Sequence, residues 1–337
     1  MTSIHYRSFF AAALMASLLT GCGGGGGGDT TSSLTYTGAT TAAAITGTSA
    51  SPIGSSAVGV STTAGTISTI SVGVSTTPQT RPALASSLNQ VINSIVHSSI
   101  QQSAPVSTGA TYTGSGNLSG CGGTATASGT IENNGTPGDY SDDRLLSGSI
   151  TYSNFVPYDI YGVCTSVILN GTISTSITWT GPDGVGAYYP QTISLNASNF
   201  SMTSGSLNQA INGTINVALT YNAGFSLTDK TFAMTADFRD VDGKIYRVEN
   251  YQEVYNSTTG VNISGRFYHP DYGYVDLSTS TPFNMGSCTP HPETGVLTLT
   301  GTSGQWIEID ANTSNCSTYQ LTWGDGTTTS APTYPNW

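Results

Sequence analysis

Leu207-Asn208-Gln209-Ala210-Ile211-Asn212-Gly213-Thr214-Ile215-Asn216-Val217-Ala218-Leu219-Thr220-Tyr221 decides the fold class. Leu207, Ile211, Ile215, Val217, Leu219 and Tyr221 all fall on odd positions, and Asn and Thr fill the places between them. A period of two is the strand pattern: alternate side chains point to opposite faces, one apolar and one polar. The same alternation runs through Val167, Leu169, Ile173, Ile177 and Trp179. A wet second face is characteristic of antiparallel sheets. This period dominates from residue 111 onward.

The two segments also resemble each other. Ser153-Asn154-Phe155 returns as Ser198-Asn199-Phe200, and Asn170-Gly171-Thr172-Ile173 returns as Asn212-Gly213-Thr214-Ile215. Asn262-Ile263-Ser264-Gly265 begins a weaker third echo. A unit of this size holds a few strands, and copies laid side by side build a meander. Further on, Phe232, Met234, Ala236 and Phe238 alternate into a turn at Asp240-Val241-Asp242-Gly243, and Ile245 to Tyr255 returns. Val296 to Thr300, a turn at Ser303-Gly304, and Trp306 to Ile309 form another hairpin, followed by a short strand through Tyr319, Leu321 and Trp323.

Before residue 111 the chain reads differently. Between Pro82 and Pro105, Leu84, Leu88, Val91, Ile92, Ile95, Val96 and Ile100 recur at three- and four-residue steps. That is one apolar stripe of an amphipathic helix over 82–104, with Pro82 at its start and Pro105 beyond its end. The segment 22–81 is rich in Gly, Ser, Thr and Ala and reads as an extended tether, its short runs at Val58, Val60, Ile67, Ile70 and Val72 amounting at most to weak strands. Charged residues make up 8% of the chain, against about 25% in typical soluble domains. With a formal net charge of −11 and only 8 Lys+Arg, the chain lacks the clustered cations that phosphate binding needs, which excludes a nucleic-acid partner.

The extreme N-terminus has Arg7, an apolar run from Phe9 to Leu19, then Leu19-Thr20-Gly21-Cys22 and Gly23 to Gly28. The run is too short for a permanent span and suits the h-region of a signal peptide. The small residues before Cys22 resemble the lipobox of bacterial lipoproteins. That resemblance covers only the first two dozen residues. It implies removal of residues 1–21, acylation of Cys22 (a palmitate-type anchor) and a membrane partner through that lipid. With Gly23 rather than Asp after the Cys, it also implies the outer membrane, facing the periplasm or the cell surface.

Setting Cys22 aside leaves Cys121, Cys164, Cys288 and Cys316. In an oxidising compartment four spaced cysteines predict two disulfides. Three pairings are possible, and proximity favours Cys121–Cys164 and Cys288–Cys316. The spacing offers no CxxC for a zinc ribbon, redox centre or haem, and no cofactor is expected.

The candidate metal ligands are Asp240, Asp242 and Glu249, which fall at calcium-loop positions three, five and twelve, with Gly243 and Ile245 at six and eight. Phe238 stands where the first carboxylate belongs, and an Asp-Gly hairpin turn explains the same residues. His269-Pro270-Asp271-Tyr272-Gly273 and His291-Pro292-Glu293-Thr294-Gly295 each offer an imidazole and a carboxylate. A strand near Tyr274 to Leu277 separates them, which predicts opposite ends of a meander. No G-x-S-x-G, H-E-x-x-H or phosphate loop occurs, and no catalytic residue is nominated. Trp179, Trp306 and Trp323 are read as core.

The expected fold is mainly β: an antiparallel meander forming a curved open sheet or half-barrel with one N-terminal amphipathic helix packed on it. The alternatives are a two-sheet β-sandwich and a lipid-spanning barrel. The expected organisation is signal peptide 1–21, tether 22–81, helix 82–104, repeat-containing β region 105–283 and a C-terminal hairpin region 284–337. The expected function is a non-catalytic outer-membrane lipoprotein that scaffolds or binds at the envelope. The alternatives are a carrier of a lipid or other apolar ligand on a concave sheet, and a hydrolase with a site assembled from distant residues.

Overall fold

The structure is a computed structural model that describes residues 34–68, 111–132, 144–158, 162–180, 189–224, 226–240, 242–288, 291–313 and 315–337. One helix, α1 (Ala50–Ser68), precedes the strands β1 (Thr111–Leu118), β2 (Gly122–Glu132), β3 (Arg144–Val156), β4 (Val167–Trp179), β5 (Pro190–Ser204) and β6 (Leu207–Tyr221). The series continues with β7 (Leu227–Arg239), β8 (Ile245–Asn256), β9 (Gly260–His269), β10 (Gly273–Asn284), β11 (Thr294–Thr300), β12 (Trp306–Asp310) and β13 (Gln320–Gly324). All thirteen form one antiparallel sheet in sequence order, open rather than closed into a barrel. Connections after odd-numbered strands therefore lie at one end of the sheet, called upper here, and those after even-numbered strands at the lower end.

The period-two pattern lands as predicted. Leu169, Ile173, Leu195, Phe200, Ile215 and Val217 are buried on the inner face, while Ser194, Asn196, Thr214 and Asn216 on the outer face are exposed. Leu207 is the exception in the opening stretch, exposed at the start of β6.

The recurring tripeptide is a β-bulge. Register slips by one residue at Asn154 on β3, at Asn199 on β5 and at Asn250 on β8. The three Asn adopt left-handed φ of 48°, 48° and 50°, a conformation that Asn tolerates better than most side chains. Each slip exchanges the inward parity: Ile193, Leu195 and Ala197 are odd, whereas Phe200 and Met202 are even, yet all five are buried. The extra residue thus turns Phe155, Phe200 and Tyr251 into the core. Each bulged N–H donates to a neighbouring strand: Asn154 to Asn170 Oδ1 at 2.7 Å, Asn199 to Asn212 Oδ1 at 3.2 Å and Asn250 to Thr235 Oγ1 at 3.2 Å. On the other side the bulge carbonyl presses against Gly123, Gly171 or Gly265, where a Cβ would sit 2.1, 2.2 or 2.6 Å from it. The Asn-Gly pair at 170–171 therefore serves two bulges, Asn170 receiving from one and Gly171 making room for the next.

The predicted tether is corrected by the structure over its described part. Leu34, Tyr36, Ala43 and Ile45 are buried, and the chain runs from the outer face of β5–β8, around the β9–β10 turn, onto the inner face. There α1 packs against β12, β13, β7 and β9. Ala50, Ile53, Ala57 and Val60 form its buried stripe. Thr46 and Ser49 cap the entry reciprocally, Thr46 Oγ1 accepting from Ser49 N at 3.4 Å and Ser49 Oγ from Thr46 N at 2.9 Å, and Pro52 sits in the first turn of α1. Gly54 makes the seat: a Cβ there would lie 2.6 Å from Leu321 Cδ1. The predicted helix over 82–104 lies outside the described residues; the helix seen on the sheet is α1.

Both proximity-favoured disulfides are present, Cys121–Cys164 at the upper end and Cys288–Cys316 at the lower end. The predicted boundary at 284 does not divide the fold, because β11 pairs directly with β10. The C-terminal tail covers the β13 edge through bridges at Thr329, Thr333 and Asn336.

Candidate functional site

Outer-face positions of β3–β6 are Ser, Thr, Asn and a few small or apolar residues, apart from Arg144 at the lower end of β3, which pairs with Glu132 of β2 at 2.9 Å. The face changes at β7. Five of the eight Lys+Arg of the chain fall between residues 230 and 266. Asp237 on β7 is buried beneath three donors: Arg247 Nε at 2.6 Å, Arg247 Nη2 at 3.0 Å and the backbone N–H of Tyr36 at 2.8 Å. The guanidinium lies 5.3 Å from the centre of the Tyr36 ring. Burial pushes the Tyr36 hydroxyl up to about 12, against the opposing pull of Arg247. The Tyr36 hydroxyl donates to the Ala39 carbonyl at 2.7 Å and to that of His269 at 3.0 Å, fastening the incoming chain.

One strand further, Tyr268 donates to Glu249 Oε2 at 2.7 Å, and Arg247 lies 3.7 Å from the other oxygen of Glu249. Arg266 makes a bidentate pair with Asp276 at 2.7 and 3.2 Å and stacks 3.8 Å above Tyr274. The hydrogen bond to Asp276 drives the Arg266 pKa well above its ordinary value. These pairs follow from register: Asp237 opposes Arg247 and Arg266 opposes Asp276 across their hairpins. Between them Glu249, Asn250, Gly265, Arg266 and Asp276 line an open depression of about 310 Å³. Its floor is the bulge at Asn250, which interrupts the ladder and exposes an amide beside two carboxylates and one guanidinium. The groups are held by ion pairs and a rigid sheet, so they present fixed donors and acceptors to a polar ligand.

The predicted calcium ligands do not converge. Asp242 accepts from Lys244 N at 2.9 Å and from the Tyr246 hydroxyl at 2.7 Å, and Gly243 takes φ 78°, so the segment is a hairpin turn. Asp240 lies in the same turn, its N–H donating to the Lys244 carbonyl. Glu249 is the fifth residue of β8, roughly 13 Å along the strand from Ile245 and so well beyond the turn, and belongs to the depression instead. Among the described residues no group of three or more His, Cys, Asp or Glu is placed to hold a metal.

The two His-Pro motifs sit at opposite ends of β10, as their spacing predicted. His269 is buried against Tyr246 and Tyr272, its Nδ1 accepting from Asp271 N at 3.2 Å. His291 stacks on Trp337 at 5.8 Å. Trp179 donates to the Leu145 carbonyl at 2.9 Å and packs on the core with Trp323.

Sequence reading missed the Tyr36–Asp237–Arg247 assembly, whose first contact spans 201 positions. The Arg–Asp pairs left a signal: each is symmetric about its turn, at Asp242 and at Asp271. Comparison with known protein families, characterised proteins and solved structures finds no match to this chain. No helix among the described residues is long and apolar enough to cross a membrane.

Proposed function

We propose that the chain is a lipid-anchored protein of the outer membrane with a non-catalytic binding role, and that the depression at Asn250 is its recognition point. The contrast between the two faces carries this reading. The inner face is filled by its own side chains and by α1, with Ile53, Phe200, Phe232 and Phe267 fully buried. The outer face carries the N-terminal segment over β5–β8 and, beyond the hydroxyl and amide positions of β3–β6, offers a preorganised polar depression in its charged part at β8–β10. Two carboxylates, an amide and a guanidinium favour a ligand rich in hydroxyl groups, such as an envelope glycan, over an apolar one. The carrier reading needs an empty apolar cavity, and the filled inner face gives it little support. The hydrolase reading needs converging His and carboxylate groups, and the two His-Pro motifs stand apart.

The anchor is tested by metabolic labelling with an alkyne fatty acid. Wild type incorporates label, and Cys22→Ser loses it and remains uncleaved or soluble; equal labelling of both would refute the anchor. The recognition point is tested by binding of the detergent-solubilised full chain to immobilised envelope polysaccharide. Asp276→Ala frees Arg266 from its fixed geometry and weakens binding about tenfold, the scale of one charge-assisted hydrogen bond. Unchanged binding in that variant, or no binding by wild type, would count against the site.

A further inference from the structure

The described residues expose eight large hydrophobic side chains, and five of them, Leu118, Tyr158, Val163, Ile168 and Leu207, lie at the upper end of β1–β6. Leu118 ends β1, Ile168 and Leu207 begin β4 and β6, and Tyr158 and Val163 belong to the β3–β4 connection. The Cys121–Cys164 bridge ties that connection to the β1–β2 turn, and Tyr158 pairs with Cys164. Val163 is 59% exposed on this braced rim. From β1 to β6 the rim is about 24 Å wide at the ordinary strand spacing. Among the described residues, charged side chains at the upper end begin at the β7–β8 turn; Asp159 of the β3–β4 connection lies outside the described residues. The lower end carries Glu132, Asp229, Glu293 and Asp310.

The N-terminal lead arrives near the same end. Leu34 N–H donates to Asn199 Oδ1 at 2.9 Å, and the Leu34 carbonyl accepts from Asn212 Nδ2 at 3.2 Å. Asn199 is five residues from the upper end of β5, roughly 17 Å, while Asn212 is nine residues from the lower end of β6, roughly 31 Å. Twelve chain steps separate Leu34 from Cys22. Twelve steps of chain reach at most about 40–43 Å. An anchor at Cys22 thus reaches a membrane at the upper end with more than half of that length to spare, whereas one at the lower end takes up about three-quarters of it.

We infer that the apolar rim of Leu118, Tyr158, Val163, Ile168 and Leu207 is a membrane-contact edge, resting on the bilayer that holds the Cys22 lipid. This rests on the anchor proposed above. It sets the sheet upright, with its strands rising from the bilayer and the Asn250 depression on its flank. A set of aliphatic side chains around a tyrosine suits the interfacial region, where partial burial of each contributes.

The test uses the full lipidated chain in vesicles of phosphatidylethanolamine and phosphatidylglycerol. Single thiols are introduced as Ile168→Cys and Leu207→Cys on the rim and as Val254→Cys and Tyr334→Cys toward the other end, each labelled with an environment-sensitive fluorophore. All four positions are exposed, so the label replaces no buried contact. Rim labels should shift to the blue and be quenched at least threefold more by lipid-borne quencher than the two controls. Chains that float with vesicles but whose rim and control labels behave alike would overturn the inference and leave the anchor standing. A wild-type chain found to carry no acyl group on Cys22 and not to float would overturn both.

Discussion

Asn154, Asn199 and Asn250 show how one residue type directs this sheet. Each is the extra residue of a bulge, each takes a left-handed φ, and each is followed by an aromatic side chain in the core. The repeated Ser-Asn-Phe was legible in the sequence; its meaning was not, because parity reversal shows only when the strand is paired. His269 carries a second lesson at this scale. Burial lowers its pKa, with Lys244 adding to the shift and Asp271 and Asp242 opposing it. The neutral ring accepts from Asp271 N, consistent with that direction. A His held neutral in the fold protonates more readily once unfolded. Its stability contribution is therefore complete above the unfolded pKa of about 6.5 and is lost as pH falls below it. The melting temperature should fall between pH 7 and pH 5, and His269→Gln should flatten that slope. His291, also lowered by burial, leaves a residual slope. Parallel profiles for His269→Gln and wild type would assign the dependence elsewhere.

At the scale of elements, α1 was the largest misreading. Its sequence holds Gly54 and Gly59 among Ser, Thr and Val, residues of modest helix propensity, so composition pointed to a tether. The two glycines play different parts. Gly54 lets the helix settle on Leu321, whereas a Cβ at Gly59 would meet nothing within 4 Å. Gly59→Ala should raise stability by roughly 0.5–1 kcal/mol through helix propensity. Gly54→Ala gains the same propensity but pushes into the buried Leu321 Cδ1, and should instead cost about 1–3 kcal/mol. Urea unfolding of the two variants reads the contrast; two stabilised variants would mean that α1 does not seat through Gly54. The strands were read more easily, because alternation, Asp-Gly and Ser-Gly turns and sequential pairing are local properties.

For the whole molecule, sequential pairing makes neighbours in sequence neighbours in space, and few links bind distant parts. The disulfides are among them. Cys121–Cys164 closes a separation of 43 residues across the upper end of β1–β4. Chain entropy for such a loop gives up to about 4 kcal/mol, and Cys121→Ala/Cys164→Ala should lose most of it in equilibrium unfolding. A loss under about 1 kcal/mol would show that the reduced chain already holds this end together. The N-terminal segment is the other long link, joining the outer face at Asn199 and Asp237 to the inner face under α1.

What the sequence determined by itself is what alternation, turns and spacing encode over a few tens of residues: the antiparallel meander, its hairpins and the two cysteine pairs. What only the tertiary structure decided is the course of residues 34–60 and the outer-face assembly they complete. Tyr36 finds Asp237 across 201 positions, Leu34 finds Asn199 across 165, and Ile45 finds Gln305 across 260. No periodicity links residues so far apart. Their contacts form only after the sheet has set a buried carboxylate, an amide and a concave apolar face where a weakly patterned segment can satisfy its backbone and bury its few apolar side chains.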